Sequence, residues 1–490
     1  MRIAAPETVL KRPAAAATLG LVFAAMCTGG AQTATGAALL AASLCAALAL
    51  AIATAPAKAV LAVSRQHWLS LLAAMTFTIY VLASAWIGVS ETTPAFIRML
   101  WHPVWTEFGA QHGAISISPY RSIEGLIGFF GPLAAFAIGA LTVRERDDRR
   151  AVSTLLIGFA GALALVSLYW LWADSAVQQH RLDARLGSAN AAATLLGILS
   201  LMIAARLLRI VRRPNPGALK QIPSRLRMMT PVFLAPITMS VLAILLGCLL
   251  LTGSRAGIVA TGAALMIFTA LVWAPWRAAN RGGPRSDVLI SIALIVGVLA
   301  IFGGQIVMGR MLSITLDAGI RQTLLDMHWA IFMERPWLGH GLNTFHELNA
   351  HYLTTETWRD AGYVGAVHNI YVQALEEVGV IGLVLFALML APPLARAGWA
   401  AITKQSGAEW AAAALAGCIL AFLHGYVDFG LQVPAIAALL MFCLGAFSGR
   451  EKASVSVREE IVTDYTMSKT SETMPTHMAK LTRIATLSDK

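Results

Sequence analysis

The sequence predicts an all-α integral membrane protein. Of its 490 residues, 57% are hydrophobic and only 13% are charged, whereas soluble domains carry about a quarter charged residues. The mean hydropathy is +0.68. A water-soluble globular enzyme is therefore excluded, and the apolar stretches are long enough to need lipid around them.

About twelve stretches have the length of a transmembrane helix, which needs about 20 mostly apolar residues. In chain order, the predicted spans are 14–31, 36–55, 67–89, 122–143, 151–173, 188–208, 231–252, 257–274, 287–307, 372–395, 409–427 and 432–448. The first could instead be a signal peptide, because Lys11, Arg12 and an apolar run precede small residues at 29–31.

The distribution of charge predicts the orientation of these spans. With the N-terminus inside, the inner segments hold 28 of the 37 Lys and Arg residues, as the positive-inside rule requires. Both termini are then cytoplasmic. The net charge of +11 is spread over many short inner loops, so a nucleic-acid partner is not indicated.

Three segments stand out from the alternation of spans and short loops: the outer segment 90–121, the outer connection 308–371 and the tail 449–490. The outer connection 308–371 is the longest, and residues 319–334 within it have apolar side chains at helical spacing, which predicts an amphipathic helix. The tail 449–490 is polar and rich in Ser and Thr, which predicts disorder. We expect a membrane domain over 1–448, with a periplasmic loop at about 308–371, and a disordered cytoplasmic tail over 449–490.

Polar residues with chemical potential concentrate on the outer side. Nine of the eleven histidines lie there, and Asn369, Gln373 and Glu376 form a polar stripe as the tenth span enters the membrane. Such a stripe is costly in lipid, so we expect it to line a wet cavity. Ordinary interpretations remain open: Arg255 could extend to headgroups, Arg321 could be a solvated charge, and His368 could be an interfacial or packed histidine.

Several segments together resemble the bacterial O-antigen ligase and polymerase family of membrane glycosyltransferases. His368-Asn369, nine residues and then Gly379-x-x-Gly382 match the ligase signature, and the turn at 254–257 is similar to the family's Ser-Arg-Gly-Gly type. Further matches are Trp329 and Arg335-Pro336 with Gly339 and Gly341, the Gly-Ser-Ala-Asn stretch ending at Asn190, and residues 424–429.

This resemblance implies a GT-C-like fold in the bacterial inner membrane and a defined activity. The expected reaction transfers a glycan from undecaprenyl diphosphate to a sugar hydroxyl at the periplasmic face, with inversion and without a metal or other cofactor. Donor and acceptor partners would be the carrier-linked glycan and either the lipid A core or another glycan. The O-antigen ligase assignment comes first, and an O-antigen or exopolysaccharide polymerase using the same donor is the alternative.

The resemblance also implies roles for individual residues. His368 is the expected catalytic residue, since a histidine with a pKa near 6.5 is partly neutral and competent as a base. Arg255, Arg321 and Arg335 are expected to bind the diphosphate, because guanidinium binds phosphate bidentately. Asn190, Asn369 and Glu377 are expected to contact the glycan. The main reading from another class, a twelve-span secondary transporter, would need repeated halves, and we find no internal repeat.

Overall fold

The computed structural model describes residues 13–173, 181–212, 231–279, 314–403 and 406–449. Within these ranges the chain is almost entirely helical. The first half contains helices α1 to α8 and a two-stranded antiparallel sheet, with bounds α1 Pro13–Cys27, α2 Ala34–Thr54, α3 Ala57–Gln66, α4 Trp68–Ser84, β1 Gly88–Val89, α5 Ala95–Arg98, α6 Val104–Glu107, β2 His112–Gly113, α7 Pro119–Thr142 and α8 Arg146–Ala173.

The second half continues the helical bundle and contains a segment of shorter helices. Its elements are α9 Ala189–Arg212, α10 Pro231–Leu251, α11 Arg255–Ala279, α12 Ile314–Glu334, α13 Phe345–Tyr352, α14 Trp358–Ala361, α15 Ile370–Ile402, α16 Ala408–Gly425, the 3-10 turn Gly430–Gln432 and α17 Pro434–Phe447.

Eight helices in the described ranges are long and apolar enough to cross a membrane, and the bent pair α3–α4, with 76° between its halves, makes a possible ninth. The chain is therefore an all-α, multi-pass membrane protein. Eleven of the predicted spans coincide with a described helix, but α1 and α17 have only 15 and 14 residues. The predicted span 287–307 lies outside the described residues, as does the predicted tail from residue 450 onward.

Helix α9 lies at the centre of the bundle. Residues 191–203 are all buried, and the helix packs against α10, α11 and α16. Around it, α17 packs closely on α7, where a Cβ added to Gly139 would lie 2.8 Å from the Ala446 amide nitrogen. Small residues at such positions bring helix backbones together, which is how helices associate in lipid.

The predicted amphipathic helix in the outer loop is present and begins earlier than predicted, at Ile314 in α12. Leu324 and Ile331 of its apolar stripe are buried, and Arg321 and Trp329 are exposed. Helix α12 packs against α15. The long loop is thereby fixed to the helix that carries most of the sequence signature.

Candidate active site

Helix α15 is broken at Gly379, and the loop 336–341 completes its hydrogen bonds. A break leaves carbonyls without donors on one side and N–H groups without acceptors on the other. The amides of His340 and Gly341 donate to the carbonyls of residues 376 and 377, both at 2.8 Å, and the amides of residues 380 and 381 donate to the carbonyls of 336 and 337, at 2.8 and 3.3 Å. Such a break is tolerated at membrane depth because protein buries it.

Glycine is required on both sides of this contact. Gly379 has φ 62° and ψ −175°, a region that is essentially restricted to glycine. A Cβ at Gly379 would lie 2.7 Å from the Gly339 nitrogen, and one at Gly339 would lie 2.6 Å from the Gly379 nitrogen. The Tyr80 hydroxyl fixes the contact from α4, since it lies 2.5 Å from the Leu338 carbonyl and 3.0 Å from that of Val378. Gly379, the first glycine of the signature, therefore contacts the loop 336–341. Gly382, the second, approaches Tyr80 of the neighbouring helix α4.

The polar stripe on α15 faces protein groups, so the expectation that it lines a wet cavity is wrong. Asn369 caps α15, its side-chain oxygen accepting from the amides of residues 371 and 372 at 3.0 and 3.2 Å. Gln373 accepts from the Val367 amide at 3.3 Å and donates to Glu377 at 3.0 Å. The other Glu377 oxygen accepts from the Asn343 amide at 2.8 Å. These buried side chains hold the loop that follows Gly341.

Glu376 pairs with His328 of α12, with its carboxylate oxygen 2.6 Å from Nδ1 and both side chains fully buried. Burial lowers the pKa of His328 to about 4. Nε2 of His328 and the second oxygen of Glu376 have no hydrogen-bond partner among the described residues. The pair joins the loop helix α12 to α15 about one turn before the break.

His368, the expected catalytic residue, lies just before the first residue of α15, next to a buried carboxylate. Its Nδ1 is 3.9 Å from Oδ1 of Asp428, and the side chains are 28% and 1% exposed. The ring contacts Phe429 edge-on at 5.2 Å. The backbone of His368 is left-handed, with φ 59°, a strained conformation that concentrates at functional sites. In the described part of the chain, neither Nδ1 nor that Asp428 oxygen has a hydrogen-bond partner.

His424 extends this group toward α9. Its Nδ1 lies 2.7 Å from the Thr194 hydroxyl, which is within 3.4 Å of the Asn190 carbonyl. Asp428 and Arg321 both lie close enough for their charges to act on the His424 ring. Helices α9, α12, α15 and α16 therefore bring one polar cluster together, and the half-buried Asn190 lies at its edge.

Two of the predicted arginines lie on helices near this cluster: the charge of Arg321 acts on His424, and Arg255 is on α11, which packs against α16. Arg255 begins α11, two residues before Gly257, where an added Cβ would lie 3.3 Å from His424. Arg321 is exposed, and Arg255 is half-buried. Among the described residues, neither guanidinium has a hydrogen bond or an ion pair. Both cations are thus available to an anionic ligand.

The third predicted arginine has a different environment. Arg335 donates to the carbonyl of Leu100 at 2.5 Å and to that of Ile115 at 3.3 Å. Its guanidinium ties the loop to the outer segment between α4 and α7. Burial lowers its pKa, and we find its donors engaged by the backbone.

A histidine pair reinforces the same junction. Nε2 of His340 lies 2.9 Å from the Ile331 carbonyl, and its Nδ1 lies 2.8 Å from Nε2 of His102. The amide of Val104 donates to the remaining nitrogen of His102 at 3.3 Å. Each ring nitrogen then has one role only if both histidines are neutral. Burial lowers their pKa values, to about 3 for His102 and about 4 for His340.

Sequence reasoning did not select Asp428, His424 or Thr194 as site residues. Asp428 is 60 residues from His368 in the sequence, and only the tertiary fold makes them neighbours. The signal that could have found His424 and Asp428 is their place at the end of an apolar helix; no local signal singles out Thr194.

Residues 240–387 match the family model described as O-antigen ligase. The resemblance to the O-antigen ligase and polymerase family is confirmed. No curated protein matches the chain. The match to the O-antigen ligase family contains Arg255, Arg321, the loop 336–341, His368 and the break at Gly379. Together with the apolar helices, this match suggests a membrane enzyme of lipopolysaccharide and O-antigen assembly.

Proposed function

We propose that the protein is an inverting glycosyltransferase that moves a glycan from undecaprenyl diphosphate to a sugar hydroxyl at the periplasmic face of the bacterial inner membrane. The observation that supports this most directly is the placement of His368 beside Asp428, with Arg321 close enough to act on the neighbouring His424 and without a hydrogen bond or ion pair among the described residues. The cluster offers a base for a hydroxyl and cations for a diphosphate. The proposal includes twelve spans, a GT-C-like arrangement and cytoplasmic termini.

The arginines would stabilise the leaving group. When the bond between the sugar and the diphosphate breaks, negative charge develops on the departing oxygen, and fixed guanidinium groups are well suited to bind it. Arg255 and Arg321 have no competing carboxylate among the residues that the structure describes. Both therefore keep their hydrogen-bond donors for a phosphate, and the reaction would need no metal ion or other cofactor.

His368 would act on the acceptor. Asp428 would orient the ring by accepting a hydrogen bond from Nδ1–H, after a small movement that closes the 3.9 Å gap; such hydrogen bonds are often long before substrate binds. Nε2 then accepts the proton of the acceptor hydroxyl, whose oxygen attacks the anomeric carbon. The bond from that carbon to the diphosphate oxygen breaks, and undecaprenyl diphosphate leaves with the electron pair.

The other expected substrate residues divide into two groups. Asn190 has a half-buried side chain at the edge of the cluster, and we propose that it contacts the glycan. Asn369, Glu377 and Arg335 have their polar atoms bound by backbone or side-chain groups. They would act by positioning His368, the loop after Gly341 and the outer segment.

The lipid A core is the acceptor in the first version of the proposal, an O-antigen ligase. A polymerase that extends a second carrier-linked glycan is the alternative. A deletion strain separates these functions: polymer left on its carrier with an uncapped core indicates a ligase, a core capped by one repeat indicates an O-antigen polymerase, and loss of an exopolysaccharide alone indicates a polymerase for that product. Altered uptake of a solute with normal glycans would instead indicate a transporter.

Complementation of that strain tests the residues. We expect His368→Ala, Arg255→Ala and Arg321→Ala to abolish the product while membrane levels remain normal. Exposed residues of the same loop provide matched controls, and His346→Ala and Arg359→Ala should retain the product. Wild-type transfer by His368→Gln would exclude the role of His368 as a base.

Asp428 needs a separate readout, because a buried carboxylate could also be purely structural. If it orients His368, Asp428→Asn should lower kcat by about 10²- to 10⁴-fold, the contribution of a positioned base, with a smaller effect on KM for the donor. The pH at which kcat rises should also shift. An unchanged pH profile with a proportional loss of folded protein would assign Asp428 a structural role only.

A further inference from the structure

A second group of arginines lies at the opposite end of α9 from the candidate active site. Arg206 and Arg209 are in the last turns of α9, and Arg150 is in the first turn and a half of α8. The charges of Arg209 and Arg150 lie close enough to act on Arg206. We call these three residues the arginine cluster.

Two members of the cluster have carboxylate partners. Arg209 pairs with Glu409 of α16 at 3.0 Å, and Arg150 pairs with Asp147 at 3.3 Å. Arg206 is only 5% exposed, and its Nε has no hydrogen-bond partner among the described residues. The segment that follows α9, residues 213–230, contains no Asp or Glu. Among the described residues, the buried Arg206 is therefore left without a carboxylate partner.

An unpaired buried charge is costly, by several kcal/mol even after the surroundings relax, unless an anion joins it. The site also favours an anion, because α8 and α16 both begin here and helix N-termini carry partial positive charge. Arg150 is 30% exposed and leaves an approach from the surface. The arginine cluster thus has the features of an anion-binding site in which Arg206 is the cation that an anion would pair with.

The position of the arginine cluster along α9 indicates which kind of anion it would bind. Asn190 and Arg209 are 19 residues apart on α9, or about 28 Å at 1.5 Å per residue, which is close to the thickness of the hydrocarbon core. The cluster therefore lies at the level of the other headgroup layer, where basic sites between transmembrane helices bind anionic headgroups. We propose that Arg206, with Arg150 and Arg209, binds the phosphate of an anionic phospholipid. This inference is independent of the proposed function.

The experiment compares the full-length protein with its Arg206→Met variant in detergent micelles supplemented with either phosphatidylglycerol or phosphatidylcholine. Two quantities are measured: lipid retained by native mass spectrometry, and Tm. Loss of one charge-assisted contact should weaken phosphatidylglycerol binding about tenfold. Arg65→Met is the matched control, since Arg65 is an exposed arginine on α3.

We expect phosphatidylglycerol to raise the Tm of the wild type and of Arg65→Met, and to leave that of Arg206→Met unchanged. In phosphatidylcholine alone, Arg206→Met should be at least as stable as the wild type, because it removes an unpaired buried charge. Inorganic phosphate that reproduces the whole shift would identify a soluble anion as the ligand and overturn the lipid assignment. A shift that appears only after truncation at residue 449 would show that the C-terminal tail fills the site, and equal phosphatidylglycerol retention by Arg206→Met and wild type would overturn the proposal.

Discussion

Replacing Gly379 with alanine tests whether the break in α15 holds the outer loop in place. The substitution forces a side chain into a backbone conformation of φ 62°, at a cost of about 1–3 kcal/mol. It also places a Cβ against the backbone of residues 337–339. Separation of the two segments would remove four backbone hydrogen bonds, at about 1 kcal/mol each. The total, about 5–7 kcal/mol, is a large fraction of the stability of a typical domain.

Thermal unfolding in detergent and limited chymotrypsin digestion measure this effect. We expect Gly379→Ala to lower Tm by about 10 °C or more and to speed cleavage after Trp337. Gly365→Ala is the control, because a Cβ there meets nothing within 4 Å. If Gly379→Ala retained the wild-type Tm within about 2 °C and the same digestion pattern, the coupling of the loop to the broken helix would be refuted.

Three further predictions concern the residues that hold the loop 336–341 in place. Tyr80→Phe removes the hydroxyl between the two segments and should destabilise the protein by about 1 kcal/mol, measured as a fall in Tm without loss of product. Arg335→Gln should lower both Tm and product, whereas a residue that only binds substrate would leave Tm unchanged. Acidification should destabilise the protein, because the pKa values of His102, His328 and His340 are about 3, 4 and 4 in the folded state and 6.5 in the unfolded state. Below pH 6.5 the unfolded chain therefore binds protons that the folded chain does not. The free energy of unfolding should fall by up to about 1.4 kcal/mol per pH unit for each histidine. A constant Tm between pH 7 and pH 5 would contradict the neutral, buried state of all three.

Properties that depend on local composition could be predicted from the sequence. Hydropathy identified eleven stretches that coincide with described helices, and helical periodicity identified α12 within the long loop. The additional helix α3 was not predicted, because Ala57–Gln66 contains Lys58 and Arg65 and was assigned to an inner connection. Its 76° angle to α4 depends on packing that no local pattern specifies.

The candidate site could be predicted only in part. Each side chain was assigned to a region by its neighbours in the sequence, but its hydrogen-bond partners come from distant segments. A G-x-x-G pair is typical of contacts between helices, whereas Gly379 contacts the loop 336–341. The same limit applies to Arg335, whose acceptors at Leu100 and Ile115 are more than 200 residues away.

Hydrogen bonding separates the polar side chains that hold the loop 336–341 from those of the candidate active site. In the first group, Glu377 and Arg335 are engaged by backbone groups that hold the loop. In the candidate active site, His368 and Asp428 face each other without a hydrogen bond, and Arg321 has no carboxylate partner in the described ranges. Groups left in this state lower stability in the absence of a ligand, and they give that free energy back when a ligand supplies the missing charges and hydrogen bonds. The proposed substrates, a diphosphate and a sugar hydroxyl, would supply both kinds of partner, an anion for the arginine and a proton donor for the histidine, which is why we base the proposed site on these unsatisfied groups more than on any single motif.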